Sequence, residues 1–417
     1  MDRKELIELV SKAKVASRQM VACGDEMKKR ALGAIADAIM EHAGDIKFKN
    51  EIDVEAARQA GLPEPMIDRL TLTDGRIEEM ANATREIAEL PDPVGETVEE
   101  LRPPNGLVIK KVRMPIGVIG IIYESRPNVT VEASALCIKS GNCVVLRGGS
   151  EALNSNLKIA KILSEAGIRA GLPEGAVTII PSSDRALVDE MIKMDGLIDV
   201  LIPRGSEEFV RHVQSASSIP VIGHGKGVCH TYVHEDADLE MAQDICFNAK
   251  VQRPGVCNAM ETMLVHSGVA DKFLPQMLER FRNAGVEIRG CVRTKKIVSW
   301  VNPAVEEDWS KEYLALILAV KLVDSVDEAI EHVNRYGSGH SDAIVCKDEN
   351  VARKFLVEVD SGSCFWNAST RLADGGIYGF GAEIGISNAK IHCRGPMGVK
   401  DLTTPKYIVF GKGQIRS

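Results

Sequence analysis

Along the first 95 residues the apolar positions recur at helical spacing. In "DEMKKRALGAIADAIMEHAGDI" Met27, Ala31, Ile35 and Ile39 fall four residues apart and form one stripe of a helix. "LTLTDGRIEEMANATREIAEL" continues that period until "PDPVGE" breaks it. In "LRPPNGLVIKKVRMP" a Pro-Asn-Gly turn between extended runs predicts a hairpin. From Ile116 the texture changes. "IGVIGIIYE", "CVVLRGG", "AVTIIP", "IDVLIPRG" and "IPVIGHG" read as apolar strands. Between them lie helical stretches, among them "VTVEASALCIKSGN", closing at Gly141, and residues 152–170 with Leu153, Leu157, Ala160 and Leu163 on one face.

Strands that are apolar on both faces and alternate with helices predict parallel sheets covered on both sides. A second such stretch holds "METMLVH", a helix near 270–284, "ILAVKLVD", a helix through "SVDEAIEHVNRYG", and "SDAIVCK". The tail "LTTPKYIVFGKG" adds a last strand. The expected architecture is α/β: two parallel-sheet domains plus a small β element. The boundaries expected are 1–100 with 113–250 for the first domain, 251–370 for the second, and 101–112 with 400–417 for the β element.

A chain of 417 residues is too long for one ordinary core, which agrees with two or three domains. Aromatic residues make up only 4%, and the net charge is −8, so neither base stacking nor a phosphate-backbone grip is the main business. "IGVIGII" is far too short to span a membrane, and the amphipathic start "MDRKELIELVSKAK" has no signal-peptide core. Ten scattered cysteines without CxxC pairs read as reduced thiols, and the expected location is the cytoplasm.

Some segments could carry chemistry. "LRGGSEA" and "PRGSEEF" each join a strand to a helix, where N–H groups and the helix dipole favour a phosphate. Neither is GxGxxG, and each alone is also an ordinary turn. In "VQRPGVCNAMET" a turn precedes Cys257 and Asn258-Ala259 reads as the start of a helix, whose field would favour a thiolate. The alternative is a buried packing cysteine. "HTYVH" and "KIHCRG" lack a third ligand and read as structural or surface histidines, so no metal is expected. Glu312, in "KEYLALIL", precedes an apolar strand and is equally readable as a solvated carboxylate.

The order of "SGNCVVLRGGSEA", "RGSEEFVRHV", "EDADLE", "VQRPGVCNAMET" and "NRYGSGHSDAIV" resembles the aldehyde dehydrogenase superfamily. "YESRPNVTVEASALCIKSGN", "NASTRLADGG", "GFGAEIGIS" and "HCRGPMG" narrow it to the γ-glutamyl phosphate reductase family, in its stand-alone form and over essentially the whole chain. That resemblance implies NADPH-dependent reduction of L-glutamyl 5-phosphate to L-glutamate 5-semialdehyde, with release of phosphate, in proline biosynthesis. It puts Cys257 at the nucleophile and makes the first domain the cofactor-binding one. Arg147 stands where relatives keep a lysine on the cofactor ribose. Ser150 stands where NAD-preferring relatives often carry a glutamate; a serine does not repel a 2′-phosphate, which favours NADPH over NADH. Gly205 and Ser206 match the turn under the pyrophosphate, and Glu312 the carboxylate on the nicotinamide ribose. The β element implies a homo-oligomer. The upstream glutamate kinase is a further expected partner; nucleic acid and membrane are not.

Two departures from the superfamily pattern matter. Hydrolytic members carry a glutamate base before a Gly-Gly-Lys-like turn. Here "VIGHGKG" offers His224 and no glutamate, as suits an enzyme that must spare its thioester from water. The superfamily's Pro-Trp-Asn segment is missing, which leaves Asn128 of "SRPNV" as the oxyanion donor, at a slightly different local length. Arg126, Arg253 and Arg371 lie in the matching motifs and are expected to pair with the substrate's phosphate or α-carboxylate, although each also suits a solvated surface. Beside the acyl-phosphate reductase stand an oxidative, thioester-hydrolysing dehydrogenase and a non-catalytic binding protein.

Overall fold

The computed structural model describes residues 1–223 and 225–416; His224 and the side reading attached to it lie outside the described residues. The chain divides into two compact units: Met1–Gly223 with Gly379–Gly385 and Met397–Ser417, and His224–Tyr378 with Ile386–Pro396.

The first unit is built on a four-stranded parallel sheet in the order Val177–Ile179, Cys143–Gly148, Val118–Tyr123, Val200–Arg204. Its central strands are buried throughout, which is why they read as apolar runs without alternation. The helices Arg3–Met20, Asp25–Glu41, Ala43–Gln59, Glu64–Leu70 and Asp74–Glu89 account for the helical period of the first 95 residues. Helix Pro127–Lys139 closes where expected: Gly141 adopts φ +77°, and a Cβ there would sit 2.8 Å from Cγ of Pro115. Helix Leu153–Arg169 buries Ile159, Ala160, Ile162 and Leu163 together with Ser155 and Asn156, so the face expected from Leu153 and Leu157 is rotated toward polar positions.

The predicted hairpin is present as Thr97–Leu101 against Val108–Pro115, and the C-terminal strand Thr403–Phe410 lies antiparallel on its other side. Tyr407, Val409, Phe410, Val98 and Leu101 of the two outer strands leave their side chains exposed.

The second unit has a seven-stranded parallel sheet in the order Asn302–Pro303, Glu287–Gly290, Ile317–Val323, Met260–His266, Cys229–Val233, Ser341–Val345, Ser363–Trp366. Helices Leu239–Val251 and Ser267–Asn283 cover one face, and Val326–Tyr336 with Glu349–Glu358 the other. Strand Cys229–Val233, expected in the first domain, pairs here with Met260–His266 and Ser341–Val345. The contact boundary therefore falls at residue 223 rather than 250. An apolar run states that it is buried on two faces, not which sheet supplies its neighbours. Among the described residues of "IPVIGHG", Val221 bridges to Leu201 and no strand is formed. No helix among the described residues is long and apolar enough to cross a membrane.

Candidate active site

Cys257 sits in a turn between helix Leu239–Val251 and strand Met260–His266. No helix starts at Asn258, so the expected helix-terminus field is absent. The residues after the turn, Met-Glu-Thr-Met-Leu-Val, enter the centre of a sheet instead. Other groups hold and charge the thiol. Asn258, read as a helix start, is buried; its Nδ2 donates to the Ala373 carbonyl at 2.9 Å, and its own carbonyl accepts from Thr370 Oγ1 at 2.8 Å. Arg371 donates from Nη1 to Asn258 Oδ1, and from Nε to Gln252 Oε1 at 3.0 Å. Burial first, and then the Arg253 charge, weaken the hold of Arg371 on its proton, while the Cys257 sulfur works the other way. Arg371 thus feels the charges of both Arg253 and Cys257, and its guanidinium group favours thiolate over thiol at residue 257. One of the three arginines singled out in the sequence, Arg371, therefore lies within electrostatic reach of the expected nucleophile.

The Cys257 backbone is fixed from below. Cys229 donates its thiol hydrogen to the Cys257 carbonyl at 3.2 Å, and burial pushes the Cys229 thiol well up, leaving it an inert neighbour. Gly227 lies flat against the same residue, where a Cβ would come within 2.6 Å of Cys257 Cα. The Gly227 N–H donates to Glu312 Oε1 at 2.8 Å. Glu312 is therefore tied to the thiol turn through one glycine. Gly227 was missed in the sequence, although "GHGKG" marks a place of close backbone approach. A buried pair was missed as well. Lys250 Nζ meets Glu261 Oε2 at 2.6 Å with both side chains fully enclosed; burial pushes the Glu261 carboxyl up, to about 7, against the pull of Lys250.

The remaining expected residues belong to the first unit. Its sheet runs outward from Val118–Tyr123 in both directions, so that strand's carboxyl end is a topological switch point, the usual place for a nucleotide in an open α/β sheet. Arg147 ends the neighbouring strand, nine-tenths buried, with Nη2 donating to the Ser183 carbonyl at 2.8 Å. Its Nε is buried and makes no hydrogen bond to the described residues. Ser150 opens the next turn and is exposed. Beside it, Glu151 Oε1 accepts from the Ser125 N–H and hydroxyl at 2.5 and 2.6 Å. Burial opposes that carboxylate's charge, but the Ser125 bonds outweigh it and hold the group below its ordinary range. Gly205 passes so close to Glu124 that a Cβ would lie 2.8 Å from its Cδ. Ser206 caps helix Glu207–Ala216, its Oγ accepting from the Phe209 N–H at 3.3 Å.

Arg126 and Asn128 open helix Pro127–Lys139. Asn128 Nδ2 already donates to Glu132 Oε1 at 2.9 Å, and burial raises that carboxyl. The histidines of "HTYVH" are structural, as expected: His230 Nδ1 meets Asp342 Oδ1 at 2.9 Å and the Tyr232 hydroxyl meets His234 Nδ1 at 2.7 Å.

A half-buried thiol turn with an arginine bonded to it, and a parallel sheet with two glycine-rich strand-to-helix turns, suit a thiol-dependent nicotinamide enzyme. A profile described as the aldehyde dehydrogenase family matches residues 1–289 and 296–385. The γ-glutamyl phosphate reductase of Thermodesulfovibrio yellowstonii is 55% identical over 417 residues, covering 100% of both chains. That of Caldanaerobacter subterraneus subsp. tengcongensis is 54% identical over 97% of this chain and 98% of its own. The chain belongs to the aldehyde dehydrogenase family, in its γ-glutamyl phosphate reductase branch. The branch also fits in three dimensions: the crystal structure of the γ-glutamyl phosphate reductase from Thermotoga maritima superposes with a TM-score of 0.97 at 47% identity, covering 99% of this chain and 100% of that one. An acetylating aldehyde dehydrogenase from Geobacillus thermoglucosidasius, 18% identical with a TM-score of 0.69 over 100% of this chain and 98% of its own, shares the fold. The aldehyde dehydrogenase-like α/β fold expected from the motif order is therefore the fold of this family, and the chain is an oxidoreductase of it.

Proposed function

We propose that the chain reduces L-glutamyl 5-phosphate to L-glutamate 5-semialdehyde, with NADPH as reductant, in proline biosynthesis. The observation that carries the reading is the Cys257 turn, which holds the thiol, is bonded by the Arg371 guanidinium at Asn258 and Gln252, and is linked through Gly227 to the Glu312 carboxylate.

The Cys257 thiolate attacks the acyl carbonyl, the carbon–sulfur bond forms and the carbon–oxygen bond to phosphate breaks. Arg253 and Arg371 offset charge on the phosphate as it leaves. The product is a thioester on Cys257. Bound NADPH supplies a hydride to that carbonyl. The oxyanion so formed takes a hydrogen bond from the Cys257 N–H. Collapse breaks the carbon–sulfur bond, frees the aldehyde and restores the thiolate. One proton is taken up overall, and the phosphate carries it away.

The first unit fits the cofactor. Arg147 has a buried Nε in need of an acceptor, whereas the space beside Gly205 is taken by the Glu124 carboxylate, which would have to move aside for a pyrophosphate. Arg147, Gly205, Ser206 and Glu312 would hold it. Residue 150 itself brings no carboxylate to a 2′-phosphate; the neighbouring Glu151 holds Ser125 through Oε1 and accepts from the Ser150 hydroxyl on Oε2 at 3.3 Å. Ser150→Glu is expected to raise the KM for NADPH about tenfold or more while that for NADH changes less than about threefold, measured side by side in steady state. We also infer that the exposed apolar residues of the Thr97–Leu101 and Thr403–Phe410 strands meet a second copy of the chain.

The deciding experiment runs the reaction backwards, with glutamate semialdehyde and NADP. NADPH formation that depends strictly on added phosphate supports an acyl-phosphate product. Equal turnover without phosphate would mean that water takes the thioester, and the reading would fail in favour of an oxidative dehydrogenase.

A further inference from the structure

The mechanism leaves the buried Lys250–Glu261 pair without a task. Lys250 lies in the last turn of helix Leu239–Val251, and Glu261 is the second residue of strand Met260–His266. They stand at the two ends of the segment that carries Cys257 and meet across its neck at 2.6 Å, both at 0% exposure. The other Glu261 oxygen, Oε1, accepts from the Leu314 N–H at 3.2 Å. Leu314 adopts φ +53°, a left-handed conformation that a leucine holds only when its surroundings impose it.

Glu312 is two residues before Leu314, on the Gly227 N–H. Lys226 reaches the Ser310 carbonyl from the same side at 3.1 Å. Tyr313, between Glu312 and Leu314, places its ring 5.9 Å from Lys250 Nζ and its hydroxyl on Asp308 Oδ1 at 2.8 Å. The Glu312 turn is therefore joined to the two ends of the thiol segment by Lys250 over the Tyr313 ring and by Glu261, whose carboxylate binds both Lys250 and the Leu314 N–H.

Stability alone does not call for such a pair, because an apolar pair of the same volume serves a core as well or better. A carboxylate offers what an apolar side chain cannot: two acceptors at a fixed angle, able to hold two segments at once. We propose that Glu261, anchored by Lys250, is a positioning residue that keeps the Cys257 turn and the Glu312 turn in one register, so that the thiol and the carboxylate for the nicotinamide ribose are set together. The inference rests on the proposed function for the role of Glu312, but the geometry it describes exists without it.

The test compares two double variants of the full-length enzyme with wild type, reading melting temperature, NADPH KM, kcat and the rate of Cys257 alkylation. Both variants remove the ion pair. K250M/E261Q keeps an amide oxygen for the Leu314 N–H; K250L/E261L does not. Both are expected to melt within a few degrees of wild type. K250L/E261L should raise the NADPH KM and lower kcat by about tenfold each, the size of one lost buried hydrogen bond, whereas K250M/E261Q should raise KM by less than about threefold. Wild-type KM and kcat in K250L/E261L, or equal defects in the two doubles, would overturn the proposal. Should either double fail to fold, Glu261→Asp decides: it keeps the charge but withdraws the acceptor from Leu314, and must show the same KM rise. A wild-type enzyme without phosphate-dependent turnover would sink the functional reading instead; the clamp would then stand or fall on whether alkylation of Cys257 changes in K250L/E261L.

Discussion

Replacing Cys257 with alanine is expected to lower phosphate-dependent turnover by a factor of about 10⁴ or more, with little change in melting temperature. The sulfur is half-buried in a turn, and its removal leaves the hydrogen bonds of that turn in place: Cys229 to the Cys257 carbonyl, Asn258 to Ala373, and Thr370 to Asn258 all involve other atoms. Of the nine other cysteines, Cys291 is half-buried; burial opposes its charge, but hydrogen bonds from Thr294 and neighbouring N–H groups outweigh that and hold the thiol below its ordinary value. Burial pushes the Cys137, Cys143, Cys246 and Cys229 thiols up. The measurement is single-turnover reduction of the acyl phosphate with NADPH in excess, alongside stoichiometric labelling by iodoacetamide. With the label mapped by residue, wild type should be modified at Cys257, and the alanine variant should lose that label while keeping any on the half-buried Cys291. A variant that still releases phosphate in proportion to NADPH consumed would require a route with no thioester, and the mechanism would be wrong.

Strands were the most legible part of the sequence, because residues such as Ile119, Ile121, Val144 and Leu146 are enclosed on both faces and leave no polar alternation to misread. Their assignment to a sheet was not legible. Cys229–Val233 carries the same apolar signature whichever sheet receives it, and only the pairing with Met260–His266 settles the matter. At Cys257 the local signal misled. Asn after a Pro-Gly turn is a good helix start in isolation, but the Asn258 side chain is spent on Ala373 and Arg371 and caps nothing. The thiol's positive neighbour is Arg371, brought to it by tertiary structure. Motif order pointed to Glu312 as a candidate, while the surroundings that fix it were invisible. Lys250 and Glu261 look like ordinary charged positions in a helix and a strand, since nothing in a one-dimensional pattern says that two charges will face each other in the interior. Gly227 was hidden for a related reason: a glycine needed for close approach reads like one needed for a turn.

That last residue supports the strongest prediction outside the nucleophile itself. Gly227→Ala is expected to cut kcat by about a hundredfold and to destabilise the protein by about 1–3 kcal/mol. An alanine Cβ at 227 would lie 2.6 Å from both Cα and the carbonyl carbon of Cys257, closer than real contacts allow. The obstruction is backbone, so no rotamer change relieves it, and either the thiol turn or the 226–228 segment must move. If the turn moves, the sulfur leaves its place within reach of Arg371. If the segment moves, the Gly227 N–H withdraws from Glu312 and takes the carboxylate out of register. The two routes separate experimentally. The first slows alkylation of Cys257 at neutral pH, because the guanidinium group no longer favours the thiolate. The second leaves alkylation near the wild-type rate and raises the NADPH KM. A Gly227→Ala enzyme with wild-type kcat, KM and alkylation rate would show that the backbone yields freely there, and that the thiol and Glu312 are not coupled through this glycine.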